Sequence, residues 1–143
     1  MRIETERFGV VEADTEEVVE LQAGLPGFPA ARHFVIRGHD RGTAFAWMLC
    51  ADEPALAFVI ANPWELVPEY APSLSARVLR ALEVDSADDL QLVAIASLSQ
   101  EGATLNLAAP VAINPRTRRG MQVVLETDEW PTRAPVRAPQ PGA

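Results

Sequence analysis

Short runs of β-branched, aliphatic and aromatic residues, separated by Gly, Pro, Asn and Asp, recur along nearly the whole chain. Runs of this length at regular spacing predict strands, and so many short strands predict a β-sandwich or β-barrel. The run at 90–98 is apolar on nearly both faces, as in a central strand that is covered on each side. We therefore predict an all-β (mainly β) fold with a core built around this run. The nine predicted strands are 7–12, 17–22, 33–37, 45–50, 56–61, 90–98, 104–107, 110–113 and 121–126.

One stretch has clear helical periodicity. Ser75 can cap a helix in which Val78 and Leu82 share one face. A second turn is predicted at Ser86, because residues 86–89 have the spacing of a capping box, with Asp in place of Glu or Gln. The β fold is therefore expected to carry one or two short helices.

The chain has 143 residues, of which 48% are hydrophobic, and this suffices for one domain with a single core. We expect a compact domain at 1–133. Residues 134–143 are rich in Pro and Ala and are predicted to form a flexible tail. Residues 1–6 lack the apolar core of a signal peptide, and no window reaches the ~18 apolar residues of a membrane span. We therefore expect a cytoplasmic protein that makes no membrane contact.

All 12 basic residues are Arg, and 20 acidic residues bring the formal net charge to -8. The absence of Lys from the sequence excludes a phosphate-loop lysine and a Schiff-base lysine. Cys50 is the only cysteine, so the sequence excludes an intramolecular disulfide and a cysteine-rich metal site. Cys50 is expected to pack as a small apolar residue. An acidic surface repels nucleic acid and anionic lipid, and it attracts basic proteins.

Few residues suit catalysis. His33 and His39 are six residues apart near a predicted strand end, and this spacing matches neither a metalloprotease helix nor a metal-binding strand. Neighbouring carboxylates could act as general acid and base, but such pairs are also expected on a solvated acidic surface. We predict no catalytic, cofactor-binding or metal-binding residue, and the alternative is a small-ligand barrel or an enzyme that uses surface carboxylates. The pairs are Glu16/Glu17, Asp52/Glu53, Asp88/Asp89 and Asp128/Glu129.

Three arginines, Arg116, Arg118 and Arg119, lie in a loop between two predicted strands. They could contact the phosphates of a nucleic acid, or they could be solvated charges that balance an acidic protein. The chain has few aromatic side chains on which bases could stack. Direct binding of nucleic acid is therefore not expected.

Three apolar side chains on loops are candidate partner contacts. Leu25 and Phe28 lie in a Gly- and Pro-rich turn at 24–29, which fixes the backbone while it presents both side chains. They either fill one end of a barrel or bind a partner. Trp64 follows an Asn-Pro pair, which ends a predicted strand and places a large aromatic side chain beyond it.

Four carboxylates occur within seven residues at the end of the predicted helix, and they form a candidate surface for a basic partner. No basic residue lies between Arg80 and Arg116 to neutralise them in sequence, and the apolar Val84 among them is expected to point inward. A solvated helix end without a partner is the other interpretation. The four residues are Glu83, Asp85, Asp88 and Asp89.

Four segments, taken in order, resemble the flagellar assembly factor FliW family. They are Gly-Leu-Pro-Gly-Phe at 24–28, Ala-Phe-Val-Ile-Ala-Asn-Pro at 57–63, Asn-Leu-Ala-Ala-Pro-Val-Ala-Ile-Asn at 106–114 and Gln-Val-Val-Leu at 122–125. Each motif alone is weak, but the four in register are specific. The resemblance extends from residue 1 to about residue 137.

This resemblance implies a compact β-barrel-like domain with little helix, no enzymatic activity and no cofactor. It further implies that the protein binds the small basic RNA-binding regulator CsrA, which relieves repression of flagellin translation, and that it alternatively binds newly made flagellin. Ala108 stands where the family often has Lys, Glu53 replaces a common Asp, and 130–135 lacks a frequent His. These differences do not change the expected fold. Because of them, we do not assign the family's carboxy-terminal partner contacts to this chain.

Overall fold

The computed structural model describes residues 1–39, 42–100 and 102–136. In these ranges it has eleven strands and two short α-helices, and the all-β prediction is confirmed. The elements are β1 Arg2–Thr5, β2 Gly9–Glu12, β3 Val19–Leu21, β4 His33–His39, β5 Gly42–Cys50, β6 Ala57–Ala61, α1 Pro63–Leu66, α2 Ala76–Ala81, β7 Gln91–Ser99, β8 Gly102–Leu105, β9 Val111–Ile113, β10 Arg119–Gln122 and β11 Ala134–Val136.

Seven strands pair into a closed ring in the order β6, β5, β4, β3, β10, β9, β7 and back to β6. Neighbours in the ring are antiparallel except β3 and β10, which run parallel. A Cβ atom at Gly120 would lie 2.7 Å from the Ala112 carbonyl oxygen. Glycine is therefore required where β10 fits between its two neighbours in the ring.

β7 is the central strand, as the sequence predicts. Its first half pairs with β9, its second half pairs with β8, and residues 94–96 also pair with β6. Val93 packs in the largest buried cluster with Phe34, whereas Ala94 packs in a second cluster with Leu105. The strand is apolar on both faces because each face contributes to a different part of the core.

Cys50 ends β5 inside the largest buried cluster, and its side chain is buried. Burial is the main cause that raises the pKa of its thiol, because a thiolate is poorly solvated there. The prediction that Cys50 packs as a small apolar residue is confirmed.

The β1–β2 hairpin forms a separate two-stranded sheet against the ring. Ile3 is its main contact with the core, 1% exposed and packed with Val35 and Leu49. β1 is not among the predicted strands. Ile3 is the only one of its four residues that is fully buried, so the segment lacks an alternating apolar pattern. One buried apolar side chain in a charged stretch is a weak sequence signal for a strand.

Residues 134–136, the first three of the predicted tail, belong to the folded domain. β11 pairs antiparallel with β8, and Ala134 is 7% exposed in the second buried cluster. Pro135 is tolerated because β11 is an edge strand, which pairs with β8 alone among the described strands. Residues 137–143 of the predicted tail lie outside the described residues.

β10 begins two residues earlier and ends four residues earlier than the strand predicted at 121–126. Opposite its end lies Pro110, which has no N–H and interrupts the ladder. The Val123 N–H still donates to the Pro110 carbonyl at 2.8 Å, and the Leu125 N–H donates to the Ala108 carbonyl at 2.9 Å. The segment after β10 therefore continues alongside residues 108–110.

Both predicted caps are present. The Ser75 hydroxyl accepts a hydrogen bond from the Val78 N–H at 3.3 Å, where α2 begins. The Ser86 hydroxyl accepts from the Asp88 N–H at 3.1 Å, but the turn that follows, Ala87–Asp89, is a single 3-10 turn. The predicted number of short helices is therefore confirmed, and the second helix is α1 rather than the turn at Ser86.

Candidate partner-binding surfaces

The turn at 24–28 is fixed by its backbone. Gly24 has φ 67°, and a Cβ atom there would lie 2.6 Å from the Phe28 carbonyl oxygen, so another residue would clash. The Leu25 N–H donates to the Phe28 carbonyl at 3.2 Å, and the Phe28 N–H donates to the Leu25 carbonyl at 2.8 Å. Gly27 has φ 84°, but no atom lies within 4 Å of its Cβ position. Close packing therefore requires the first glycine and not the second.

Leu25 and Phe28 occupy opposite environments. Leu25 is 4% exposed and belongs to the largest buried cluster, whereas Phe28 is 40% exposed. The Phe28 ring packs edge-on against Phe58, with 6.0 Å between ring centroids. The prediction of Leu25 as a partner contact is therefore wrong, because the turn directs this side chain into the core. Phe28 keeps an exposed face that a partner can contact.

Trp64 is held firmly at the start of α1. The Asn62 side chain caps this helix by accepting from the Trp64 N–H at 3.0 Å, and the indole Nε1–H donates to the Tyr70 carbonyl at 2.8 Å. The buried Tyr70 hydroxyl donates to the Leu107 carbonyl at 2.7 Å, and burial raises the pKa of Tyr70 to about 12. Trp64 itself is 41% exposed. A rigid, partly exposed indole suits contact with a protein partner.

The acidic segment begins where α2 ends. The Val84 N–H donates to the Leu79 carbonyl at 3.0 Å, and the Glu83 N–H donates to the Arg80 carbonyl at 3.1 Å. This is a Schellman motif, and Glu83 occupies its left-handed position with φ 60°, where glycine is usual. Val84 packs against the buried cluster beneath α2, so its predicted inward orientation is confirmed.

All four carboxylates of this segment, Glu83, Asp85, Asp88 and Asp89, are exposed. Glu83 Oε1 lies 3.7 Å from Arg119 Nη1, and the two side chains are 62% and 49% exposed. An ion pair this exposed stabilises the fold only weakly. The fold thus brings Arg119 close to Glu83, although the two residues are far apart in sequence.

Asn114 fixes the arginine loop, a role that is not predicted from the sequence. Its side chain is 1% exposed, its Nδ2 donates to the Leu82 carbonyl at 2.8 Å, and its Oδ1 accepts from the Arg116 N–H at 2.9 Å. It therefore ties the loop to the end of α2. An Asn directly before a Pro in a polar loop is typical of a side chain that organises a turn, and this signal could have found it.

Two of the three arginines predicted to lie in this loop make contacts within the fold, and the second of them, Arg119, is the first residue of β10. Arg118 has φ 61°, its Nη2 donates to the Glu17 carbonyl at 3.0 Å, and its carbonyl accepts from the Glu20 N–H at 2.8 Å. Arg119 pairs with Glu83, as described above. Arg116 is exposed. The loop is therefore in part a structural connection between β3 and the end of α2.

His33 and Asp52 brace the start of β4. Asp52 Oδ2 accepts from the backbone N–H groups of Arg32 and His33, each at 2.8 Å, and Asp52 Oδ1 lies 3.2 Å from His33 Nδ1. Partial burial alone would raise the pKa of Asp52, but these donors together outweigh it and lower the pKa. The contacts give this carboxylate a structural role. The side chain of His39 lies outside the described part of the structure.

Within the described part of the chain, no three His, Cys, Asp or Glu side chains come close enough together to hold a metal ion. The helices found there are too short to cross a bilayer.

The comparisons with known proteins agree with one another. The FliW protein family model matches residues 2–136. The flagellar assembly factor FliW of Syntrophus aciditrophicus is 34% identical over 135 residues, covering 93% of this chain and 85% of that protein. The FliW of an Exiguobacterium species is 35% identical over 138 residues, covering 95% and 94%. A crystal structure of the flagellar assembly factor FliW superposes with a TM-score of 0.86 at 29% identity, covering 94% of this chain and 96% of the other. The chain therefore belongs to the FliW family of flagellar assembly factors.

Proposed function

We propose that the protein binds a CsrA-type RNA-binding regulator and so relieves its repression of flagellin translation, and that it alternatively binds newly made flagellin. Membership of a family of flagellar assembly factors supports this proposal. On this proposal the protein acts in the cytoplasm, as a binding protein and not as an enzyme.

The observation that carries the proposal is an exposed acidic segment on a strongly acidic protein. The formal net charge is -8, and Asp85, Asp88 and Asp89 are exposed beyond the end of α2. A basic RNA-binding partner would be attracted to such a surface, which raises the association rate at low salt. The same charge repels RNA phosphates, so the protein would bind the regulator and not its RNA.

Two exposed aromatic side chains could add affinity to this attraction. Phe28 and Trp64 are each about two-fifths exposed and are held in place by packing or hydrogen bonds. Rigid aromatic residues often supply much of the binding energy of an interface. We therefore assign partner contact to Phe28, Trp64, Glu83, Asp85, Asp88 and Asp89.

A gel-shift titration tests the regulatory part of the proposal. The regulator is first bound to labelled flagellin messenger RNA, and the protein is then added in increasing amounts. We expect the RNA to be released, and we expect the protein alone to leave its mobility unchanged. Retardation of RNA by the protein alone, or failure to release it, would contradict the proposal.

The same titration distinguishes two ways of releasing RNA. If the protein covers the RNA-contact surface, the apparent RNA affinity falls without limit as the protein concentration rises. If the protein binds elsewhere on the regulator, the apparent affinity falls to a plateau. Calorimetry with flagellin alone, and then with flagellin after saturation by the regulator, tests whether the two partners exclude each other.

A further inference from the structure

The segment that follows β10 has one paired edge and one unpaired edge. The N–H groups of Val123 and Leu125 donate to the carbonyls of Pro110 and Ala108, just before β9, so this segment prolongs the line of β10 beyond its last strand residue, Gln122. Because peptide groups alternate in direction along a strand, those of Val124 and Glu126 face the other way. On that side, pairing with β3 stops at Gly120, and no described backbone group bonds to Val124 or Glu126. An edge of about five residues, from Gln122 to Glu126, is left open.

This open edge lines a groove of about 480 Å³. The opposite wall is the start of α2 and the residues before it, including Ser73, Ser75 and Arg77. The five edge residues span roughly 16 Å, which is enough for an added strand of similar length. A groove between a strand edge and a helix can receive an extended peptide, whose main chain pairs with the edge.

Open edges in natural proteins are usually blocked by Pro, a bulge or charged side chains. Residues 121–125 contain no Pro and no charge, and the outward-facing Val124 is 72% exposed. At the end of the edge, Glu126 lines the groove, and the exposed Asp128 and Glu129 follow it. The edge is therefore apolar in its middle and acidic at one end, while Arg77 and two serines line the opposite wall.

We propose that this groove binds an extended segment of a partner protein, which adds as a strand to the edge at 122–126. The complementary segment has an apolar side chain beside Val124 and a basic side chain at the Glu126 end. The inference rests on the proposed function in one respect, namely that the protein acts by binding other proteins, and it adds the binding surface and the binding mode.

The direct test uses a synthetic peptide, acetyl-Arg-Val-Thr-Val-Thr-Val-Arg-amide, and the same peptide with N-methyl groups on its three central residues. Amide hydrogen exchange is followed by NMR on the labelled full chain. In the free protein, the amides of Val124 and Glu126 should exchange much faster than those of Val123 and Leu125. The first peptide should slow exchange at Val124 and Glu126 at least tenfold, and the methylated peptide should not. Equal effects of the two peptides, or no effect of either at millimolar concentration, would overturn the inference.

Matched variants locate the binding. Val124→Pro removes the N–H that faces the groove, and it leaves the bonds of Val123 and Leu125 in place, whereas Val124→Thr keeps the N–H. We expect Val124→Pro to lower the affinity for the first peptide at least tenfold. Val124→Thr should keep that affinity within about twofold of the original chain. If Val124→Pro does not fold, Glu126→Arg is tested in its place. This variant should bind the Arg peptide more weakly than the original chain does, and it should bind a peptide with Glu at both ends more tightly. Unchanged peptide affinity in the folded variants overturns the inference.

The same protein preparation is titrated with the CsrA-type regulator and with flagellin. If it binds either protein but not the peptide, the groove inference fails and the proposed function stands. If it binds the peptide at the groove but neither protein, the inference stands and the proposed function fails.

Discussion

Gly24 and Glu83 both lie in the left-handed region, in two turns that differ in packing. At Gly24, φ is 67°, and a Cβ atom would lie 2.6 Å from a backbone oxygen. At Glu83, φ is 60°, and the side chain is exposed and pairs loosely with Arg119. At Gly24, neighbouring backbone atoms leave no space for a side chain. At Glu83, the hydrogen bonds that end α2 hold the residue in a strained conformation, but its side chain is exposed. The same backbone conformation therefore has different energetic consequences in the two places.

The two turns also present different chemistry at the surface. The first buries Leu25 and leaves the aromatic face of Phe28 exposed. The second buries much of Val84 and leaves carboxylates exposed. Each turn thus directs one apolar side chain into the core and offers another kind of group to a partner. We expect the first turn to matter most for stability and the second to matter most for the rate of association.

The largest effect is expected at Leu25. Leu25→Ala should lower the free energy of unfolding by about 3 kcal/mol, because it leaves a cavity in the largest buried cluster. Phe28→Ala should cost only about 1 kcal/mol, since two-fifths of that side chain is already exposed. Denaturant unfolding of both variants measures the difference. Equal losses would show that the turn does not separate the two side chains.

The next effect concerns the two glycines of the first turn. Gly24→Ala should cost about 2 kcal/mol or more, because the methyl group adds a clash with Phe28 to the cost of a left-handed alanine. Gly27→Ala is the matched control, with the same conformational cost of about 1 kcal/mol and free space around the methyl group. Thermal and denaturant melts compare them. If Gly27→Ala were the more harmful change, the packing explanation would be wrong.

Much of the fold is predictable because its signals are local. The apolar run that becomes β7 and the caps at Ser75 and Ser86 each depend on a few neighbouring residues. The end of β10 depends instead on Pro110, which directly precedes β9, and β11 depends on its partner β8. Neither signal is visible within the segment itself, so the end of β10 is predicted wrongly and β11 is not predicted.

The candidate site is less predictable for a related reason. A Gly- and Pro-rich turn predicts that Leu25 and Phe28 are held rigidly, but not which of them faces the core. That depends on how the turn is oriented relative to the ring of strands. Likewise, the contact of Glu83 with Arg119 joins residues far apart in sequence. The exposure of single side chains is set by tertiary structure and not by local pattern.

A smaller effect is expected from reversing the charge of the acidic segment. The double variant Asp85→Arg, Asp88→Arg should slow association with the regulator several-fold at low salt, and the difference should shrink as ionic strength rises. The control is Glu4→Arg, Glu6→Arg, which changes the net charge equally at exposed positions on and beside β1. Stopped-flow association rates across a salt series measure both. Equal slowing in the two variants would place the interface away from the acidic segment.

The smallest effect is expected at Glu83, and it tests the second turn directly. Glu83→Gly relieves the strain of a left-handed residue, which is about 1 kcal/mol or slightly more for a side chain with a Cβ. The gain is partly offset, because glycine has more freedom in the unfolded chain and because the weak ion pair with Arg119 is lost. The net result should be a stabilisation of about 0.5 kcal/mol. Glu83→Gln is the control, since it removes the charge and keeps the Cβ atom, so it should be less stable than Glu83→Gly. If the glycine variant were the less stable of the two, Glu83 would not be strained, and the contrast between the two turns would fail.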